Sequence, residues 1–381
     1  MQKFPENIPL SLYIHLPWCV RKCPYCDFNS HTAPSVIPEE LYVNALIEDL
    51  EEHLPRIQHK ECISIFLGGG TPSLFSGSSI GHLLNQIAKR IPFSSTVEIT
   101  LEANPGTVDE ARFTGFYAAG VNRLSLGIQS FQNDKLQSLG RIHHRDDALR
   151  AIDIAKRAGF THFNLDLMHG LPHQSVEDAL ADLHDACAAE PTHISWYQLT
   201  IEPQTLFHRY PPALPKEEIL FEIQQHGYDL LKTHGFEQYE VSAYSQKREC
   251  IHNRNYWEFG DYLGIGAGAH SKITDTKAHV IQRHWQVKNP RDYLDPTQKY
   301  VGEQRTLSEK ESLFEFMLNA LRLTHGIPFT LFTERTGLPQ STLLPLLATA
   351  KQRGLLEDNP EVLRPSALGQ RFLDDLIGLF I

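Results

Sequence analysis

Residues 12–26 read Leu-Tyr-Ile-His-Leu-Pro-Trp-Cys-Val-Arg-Lys-Cys-Pro-Tyr-Cys, a short apolar run followed directly by three cysteines. An apolar run of this length is typical of a buried β-strand. The thiols of Cys19, Cys23 and Cys26 therefore project from a loop at the carboxyl end of the first predicted strand. In a parallel α/β barrel that end carries the active site. The stretch thus predicts a thiol cluster at the active face of such a fold.

Three thiolates are one fewer than the four ligands of a closed structural zinc site or of a cluster used only for electron transfer. They leave one metal position open, and an open iron can bind a substrate or a cofactor. We predict an iron–sulfur site of this kind, because Pro24-Tyr25 makes a tight loop suited to gathering the thiols around a bulky group. A zinc ion with His15 or His31 as its fourth ligand is the alternative.

The other three cysteines, Cys62, Cys187 and Cys250, lie far apart in the chain. The six cysteines therefore do not resemble a disulfide framework, and a compact cluster in an intracellular chain is better explained by a metal or redox site. We predict that the three dispersed cysteines are ordinary small buried residues.

The charge balance argues against polyanionic partners. The 381 residues include 35 Lys and Arg against 46 Asp and Glu, a net charge of −11, which opposes attraction to nucleic acid or an anionic membrane. No apolar run approaches the roughly 20 residues that span a bilayer, and residues 1–7 lack the apolar region of a signal peptide. We predict a cytoplasmic protein that has no transmembrane segment and binds no nucleic acid.

Six strand-like runs alternate with six stretches of helical period, which predicts βα units and a parallel sheet. The strand-like runs are 12–16, 63–67, 97–101, 124–128, 163–168 and 194–200. The helical stretches are 39–57, 76–91, 109–119, 145–158, 176–190 and 216–234. Six such units form either an open sheet or a partial (β/α)6 barrel.

Beyond about residue 300 the pattern changes to helices, as in 308–324. We predict two domains: an α/β barrel over 1–290 and a mainly helical C-terminal domain over 300–381. The polar, proline-containing segment 271–299 between them is expected to be a linker or a strand-poor excursion.

Polar residues or glycines follow strand after strand, which indicates a lined cavity and favours the barrel. The second strand runs into Gly68-Gly-Gly-Thr71-Pro72, where absent side chains let the backbone approach a ligand. A phosphate-binding loop is the alternative, although the expected Lys-Ser/Thr is missing. Glu102 ends the third strand, Gln129 ends the fourth, and Asp166 lies in the fifth.

The C-x3-C-x2-C motif after the first strand resembles that of the radical S-adenosylmethionine (SAM) superfamily. The resemblance implies that the three cysteines hold a [4Fe–4S] cluster and that the amino and carboxylate groups of SAM chelate its fourth iron. It also implies contact between the glycine loop and the methionyl group. A bulky side chain at Gly70 is therefore expected to block SAM and leave the cluster intact.

Most of the chain is similar to the oxygen-independent coproporphyrinogen III oxidase branch of this superfamily. The matching stretches are Leu12-Tyr-Ile-His-Leu-Pro-Trp-Cys19, Gly68-Gly-Gly-Thr-Pro72, Glu102-Ala-Asn-Pro105, Gly127-Ile-Gln-Ser-Phe131, Leu139-Gly-Arg141 and Asn164-Leu-Asp-Leu-Met-His-Gly-Leu-Pro172. Carried over by position, the resemblance implies SAM contacts at Tyr13, Tyr25, Gly69, Gly70, Thr71, Glu102, Gln129, Arg141 and Asp166. Tyr25 is expected beside the cluster and adenine. Glu102 and Asp166 are expected to accept hydrogen bonds from the amino or ribose hydroxyl groups, and Arg141 to pair with a carboxylate.

Two features depart from the oxidase, and both concern its substrate. Phe28 stands where the oxidase motif continues with a further cysteine, and only about ten residues precede the first strand where the oxidase has a long extension. The substrate of the oxidase branch is therefore not implied by the match.

The string His252-Asn-Arg-Asn-Tyr256-Trp257 resembles the signature of the HemW family of haem chaperones. The resemblance implies that His252 ligates haem with Tyr256 and Trp257 nearby, and that haem-acceptor proteins are the partners. Membrane-bound respiratory proteins are expected among them, with membrane association only through such a partner. From the residues alone, a histidine beside two aromatics is more often a buried core cluster.

Three functions are compatible with the sequence. The favoured one is a haem chaperone with a [4Fe–4S] cluster, SAM and haem as cargo. The enzyme alternative is oxidative decarboxylation of coproporphyrinogen III. A methyltransferase or another radical enzyme is the third, for which no dedicated motif is present.

Overall fold

The structure is a computed structural model that describes residues 4–5, 8–57 and 60–381. In these ranges the strands are β1 (Leu10–Leu16), β2 (Trp18–Cys19), β3 (His31–Thr32), β4 (Cys62–Gly69), β5 (Phe93–Ala103), β6 (Arg123–Gln129), β7 (Phe163–His169), β8 (His193–Gln198), β9 (Glu237–Glu240), β10 (Ala243–Ser245), β11 (Asp261–Ile265), β12 (His270–Asp275), β13 (Val280–Gln286), β14 (Val301–Thr306), β15 (Ile327–Pro328) and β16 (Val362–Leu363). The α-helices are α1 (Glu39–Ile57), α2 (Gly77–Ala88), α3 (Glu110–Ala118), α4 (Asn133–Ser138), α5 (Arg145–Arg157), α6 (Val176–Ala188), α7 (Leu206–Arg209), α8 (Glu217–Thr233), α9 (Ile251–Trp257), α10 (Pro290–Tyr293), α11 (Glu309–Ala320), α12 (Phe329–Thr336), α13 (Leu344–Gln352), α14 (Ala367–Arg371) and α15 (Leu373–Gly378). Short 3-10 helices lie at Pro72–Leu74, Pro105–Thr107 and Gln340–Thr342.

One large sheet organises the molecule, with the strand order β14-β13-β12-β11-β1-β4-β5-β6-β7-β8-β10-β9. The seven strands from β11 to β8 run parallel. The strands flanking them at both sides pair antiparallel. The predicted partial barrel of six βα units is confirmed, and its parallel strands bring their carboxyl ends to one edge.

Local sequence explains the helices and strands of this barrel. Six of the seven residues of β1 are buried, because strands of a parallel sheet have one face toward the covering helices and the other toward the barrel interior. Helix α1 turns Tyr42, Leu46 and Leu50 inward at four-residue spacing. Helix α6 begins with a capping box, in which Ser175 and Asp178 each accept the other's backbone N–H.

The C-terminal part is helical from α11 onward, as predicted. Its apolar residues form a second core cluster, which also includes Tyr239, Phe259 and Ile281 from the preceding part of the chain. The division into domains 1–290 and 300–381 stays a prediction. None of the helices that the structure describes is long and apolar enough to cross a membrane.

The expectation of a linker or strand-poor excursion over 271–299 is wrong. Strands β12 and β13 pair with each other and extend the sheet beyond β11. The segment contains polar residues that are buried and hydrogen-bonded inside the protein. Lys272 is fully buried, and its Nζ donates to Asp261 Oδ1 at 3.0 Å and to the Phe259 carbonyl at 2.8 Å. Burial of a paired charge does not produce the apolar alternation on which strand prediction relies.

Candidate cofactor site

A cavity of about 560 Å³ lies at the carboxyl ends of the parallel strands. The predicted site residues that line it are Cys19, Cys23, Tyr25, Cys26, Gly69, Gly70, Thr71, Glu102, Gln129, Arg141, Asp166 and Trp257. Tyr13, His252 and Tyr256 are packed outside this lining. The structure therefore brings together the predicted cluster ligands and most of the predicted SAM contacts in one space.

A pair of short strands and two side-chain hydrogen bonds hold the cysteine loop in place. Strands β2 and β3 pair in parallel, so Cys19 lies directly opposite Thr32. Asn29 Nδ2 donates to two backbone carbonyls, one after β11 at 2.9 Å and one after β13 at 2.8 Å. The loop that carries the three thiols is therefore held to the sheet at both ends.

Hydrogen-bond donors face two of the sulfur atoms. Thr71 Oγ1 donates to Cys19 Sγ at 3.4 Å, and Arg141 Nη1 donates to Cys23 Sγ at 3.6 Å. Burial raises the pKa of the Cys19 and Cys26 thiols, which disfavours free thiolates here. A bound metal reverses this preference because its charge stabilises the deprotonated sulfur, and the donors then satisfy the thiolates.

Three thiols suit a cubane cluster, because each thiolate binds a different iron. The histidines of the zinc alternative are engaged elsewhere: both ring nitrogens of His15 bond to Tyr13 or to the Asn29 carbonyl, and His31 bonds to Asn29.

The glycine loop is shaped for close backbone approach. Gly70 N donates to the Leu16 carbonyl and Thr71 N to the Trp18 carbonyl, both at 2.8 Å. These N–H groups are used within the protein, so the loop is not a phosphate cradle. A Cβ on Gly70 would lie 2.7 Å from the Pro17 carbonyl carbon. We therefore now expect that a side chain at Gly70 would push on the backbone that leads to Cys19 and so disturb the cluster as well as SAM.

Two carboxyl groups face the cavity from β5 and β7, the strands on either side of β6. Glu102 accepts from Gly69 N at 3.1 Å, and burial, helped by the charge of Asp166, raises the pKa of Glu102 to about 8. Asp166 accepts from Ser125 Oγ at 2.9 Å and from Asn164 Nδ2 at 2.8 Å, and burial raises the pKa of Asp166 too. A cationic ligand in the cavity would favour the ionised form of both groups.

Arg141 and Gln129 complete the predicted set. Arg141 Nη2 donates to the Gly127 carbonyl at 2.8 Å, while its buried Nε has no acceptor among the described residues. A buried donor without a partner beside the thiols fits a ligand carboxylate. Gln129 has a positive φ of 70°, and its Oε1 accepts from Tyr197 OH at 2.9 Å.

Several lining residues escaped the sequence analysis. Ser125 on β6 and both Ser195 and Tyr197 on β8 line the cavity. The sequence could have identified them, because alternate residues of a barrel strand face the interior. Ser125 lies four residues before Gln129 on β6, and Ser195 lies two residues before Tyr197 on β8, so each pair faces the same side of its strand. Glu240 and Asn253 also line the cavity but come from outside the six βα units, where no local pattern identifies them.

Helix α9 carries the predicted haem residues and packs against β1, β4 and β11. His252 is 3 % exposed, its Nδ1 bonds to Ser64 Oγ at 3.0 Å, and its ring stacks on Phe66 with centroids 4.9 Å apart. Tyr256 packs edge-on against His252, and Trp257 lines the cavity. Ser64 belongs to the amino-terminal half of β4, so His252 here occupies the core-cluster arrangement, and haem ligation by it stays a prediction.

The barrel, the thiol loop and the glycine loop together define a radical SAM protein. Residues 13–186 match the model of the Radical SAM superfamily, and residues 307–372 match that of the HemN C-terminal domain. Membership of this superfamily implies a [4Fe–4S] cluster and SAM as cofactors.

Curated relatives match over full length. The chain is 49% identical to "Heme chaperone HemW" of Haemophilus influenzae over 99% of both chains, and 46% identical to "Heme chaperone HemW" of Escherichia coli over 100% of both. The chain belongs to the HemW family. The solved structure of coproporphyrinogen III oxidase (HemN) from Escherichia coli superposes with a TM-score of 0.82, covering 98% of this chain and 90% of that one, at 21% identity. This likeness shows the fold.

Proposed function

We propose that this protein binds haem and delivers it to acceptor proteins, with a [4Fe–4S] cluster on Cys19, Cys23 and Cys26 and SAM in the cavity. The observation that carries the proposal is the similarity over essentially the whole of both chains to proteins named heme chaperone HemW. It matters that the similarity continues beyond residue 186, because the HNxxYW string and the C-terminal part lie outside the segment shared with the wider superfamily.

The cavity residues fit the implied cofactors. Bound together, the cluster and SAM supply one-electron chemistry. Arg141 offers its free Nε to a carboxylate and its Nη1 to Cys23. Glu102 and Asp166 offer acceptors to ammonium or hydroxyl groups, and their burial excludes water, which strengthens each of these contacts.

The cavity is small for an additional porphyrin. About 560 Å³ is within the range of sites that hold one small-molecule ligand, and the cluster and SAM both draw on that space. Phe28, where the oxidase has a further cysteine, is 60 % exposed and lies in the cavity lining. We therefore favour haem binding outside the cluster chamber over a porphyrinogen substrate inside it.

We propose His252 as the haem ligand. Burial lowers the pKa of His252 to about 3, so the ring is neutral, which is the ligating form. Its Nδ1 is held by Ser64 Oγ, and its Nε2 has no hydrogen-bond partner in the part of the chain that the structure describes. One nitrogen fixed and the other free is the arrangement of a metal-ligating imidazole. Ligation requires the rings of Phe66 and Tyr256, which pack against the His252 ring, to make room for haem.

The acceptors that we propose are haem proteins, with membrane-bound respiratory proteins among them. The net charge of −11 opposes direct attraction to an anionic membrane surface. The protein would therefore approach a membrane through such a partner.

The deciding experiment compares transfer with turnover. Anaerobically reconstituted protein is loaded with haem and mixed with the haem-free form of a membrane-bound respiratory haem protein, and the recovered acceptor activity is measured. In parallel the same preparation receives coproporphyrinogen III, SAM and a reductant. We expect acceptor activation and no decarboxylated porphyrinogen. Many turnovers of coproporphyrinogen without haem binding would establish the oxidase instead.

SAM binding is expected to release a proton from Glu102. At pH 7, below its raised pKa of about 8, this carboxyl is mostly protonated, and the net positive charge of SAM lowers its pKa. Titration calorimetry in two buffers of different ionisation enthalpy should show release of up to about one proton at pH 7. The release should vanish well above pH 8, where the proton is already lost.

Two variants control this measurement. Glu102→Gln should abolish the release, whereas Glu202→Gln, which also alters a carboxyl in the cavity lining, should keep it. Equal release by Glu102→Gln and the parent protein would show that Glu102 is not the group that responds to SAM.

A further inference from the structure

A chain of hydrogen bonds runs from the cofactor cavity to helix α9. It links Asp166, Asn164, His193, Tyr239 and Asn253 through contacts of 2.8, 2.7, 2.9 and 3.3 Å in that order. Asp166 and Asn253 line the cavity, and the three middle residues are at most 2 % exposed. The connection is therefore direct, and its middle is shielded from water.

Every hydrogen bond in this chain is donated in the direction of Asp166. Asn164 Nδ2 donates to Asp166, so its Oδ1 faces His193 and must accept from Nδ1–H. Burial lowers the pKa of His193 well below its usual range, so the ring is neutral and its Nε2 can only accept. Tyr239 OH therefore donates to His193, and the Tyr239 oxygen accepts from Asn253 Nδ2. The Asp166 carboxyl group is the last acceptor of the whole chain.

The chain of hydrogen bonds ends at helix α9, which carries His252. Asn253 follows His252 directly in α9, a helix of only seven residues. Tyr239 is fixed in turn, because its carbonyl accepts from Thr324 N at 3.0 Å. Buried hydrogen bonds in series polarise one another, so weakening the bond at Asp166 weakens the bond at Asn253.

We propose that this chain couples the hydrogen-bonding state of Asp166 to the position of α9, so that SAM in the cavity increases access to His252. When a group of SAM donates to Asp166, it competes with Asn164 Nδ2 for the carboxyl oxygens, the chain loosens and Asn253 is released. Tyr239 and His193 are positioning residues in this scheme. The effect on haem rests on the proposed function, whereas the effect on α9 does not.

The first test measures haem affinity with and without saturating SAM, with the cluster kept oxidised so that SAM is not cleaved. We expect SAM to tighten haem binding by about 5-fold or more, the usual range of coupling between two sites. Tyr239→Phe removes one hydroxyl from the middle of the chain and should bring this factor close to one. Tyr244→Phe is the matched control, because Tyr244 is also buried and its hydroxyl has no hydrogen bond among the described residues; it should keep the full factor.

The second test reads α9 without haem. Hydrogen exchange of the amides over 251–257 should speed up on SAM addition in the parent protein and in Tyr244→Phe, and should not respond in Tyr239→Phe. Asn253→Ala, which breaks the last link, serves if Tyr239→Phe fails to fold.

The two tests separate the possible failures. A parent protein that binds no haem but shows the exchange response keeps the coupling and rejects the haem function. Exchange over 251–257 that ignores SAM, or a Tyr239→Phe protein that retains the full SAM effect, overturns the coupling.

Discussion

Replacing Cys19, Cys23 or Cys26 by alanine is expected to reduce bound iron from about four atoms per chain to almost none. Each thiolate binds its own iron, and the histidines of the zinc alternative, His15 and His31, are held by hydrogen bonds to Tyr13 and Asn29. The measurement is iron content and visible absorbance of each variant after anaerobic reconstitution.

The matched control is Cys187→Ala. Cys187 is a free, half-buried cysteine like the three cluster residues but lies on α6, on the outer layer of the barrel. It should retain the full iron content, and so should Cys62→Ala if it folds. Stoichiometric zinc in place of iron, or loss of the cluster from Cys187→Ala, would contradict the ligand assignment.

Replacing His252 by alanine is expected to remove the axial ligand of haem and so to shift or abolish the Soret band of the haem complex. The cluster and SAM should still bind, because His252 lies near the amino-terminal end of β4 and outside the cavity lining. Band position is the proper readout, since haem can adhere to exposed aromatic rings without ligation. Loss of acceptor activation in the same variant would connect the ligand to function.

A control is needed because deleting a buried side chain costs about 2–5 kcal/mol of folding free energy in typical cores. His284→Ala provides it, as His284 is also fully buried and both its ring nitrogens lack partners among the described residues. A normal Soret band in His252→Ala, or an equal loss in His284→Ala, would exclude His252 as the ligand.

The six βα units were predictable because each is built from contacts near in sequence. Helix α1 begins and ends as predicted, at Glu39 and Ile57, and the six strands differ from prediction by a few residues at their ends. The seventh parallel strand, β11, was missed. It pairs with β1 across some 250 residues and begins with Asp261, whose charge is buried against Lys60 and Lys272, so neither its pairing nor its composition shows in a short window.

Some parts of the candidate site were likewise predictable from the sequence, and others were not. The spacing of Cys19, Cys23 and Cys26 needs only one loop, and the inward residues of the strands repeat at a known period, so both were accessible from the sequence. The hydrogen-bond chain through His193 and Tyr239 was not, because each link joins residues from different elements.

The sequence by itself determined the thiol loop, the glycine loop and the six βα units, since these depend on local spacing and period. Only the tertiary structure decided where the HNxxYW helix goes. Its histidine contacts Ser64 and Phe66, nearly 190 residues earlier in the chain, and is enclosed outside the cavity that the thiols line. Burial and hydrogen-bond partners at that separation follow from packing of the whole chain, which no local pattern encodes.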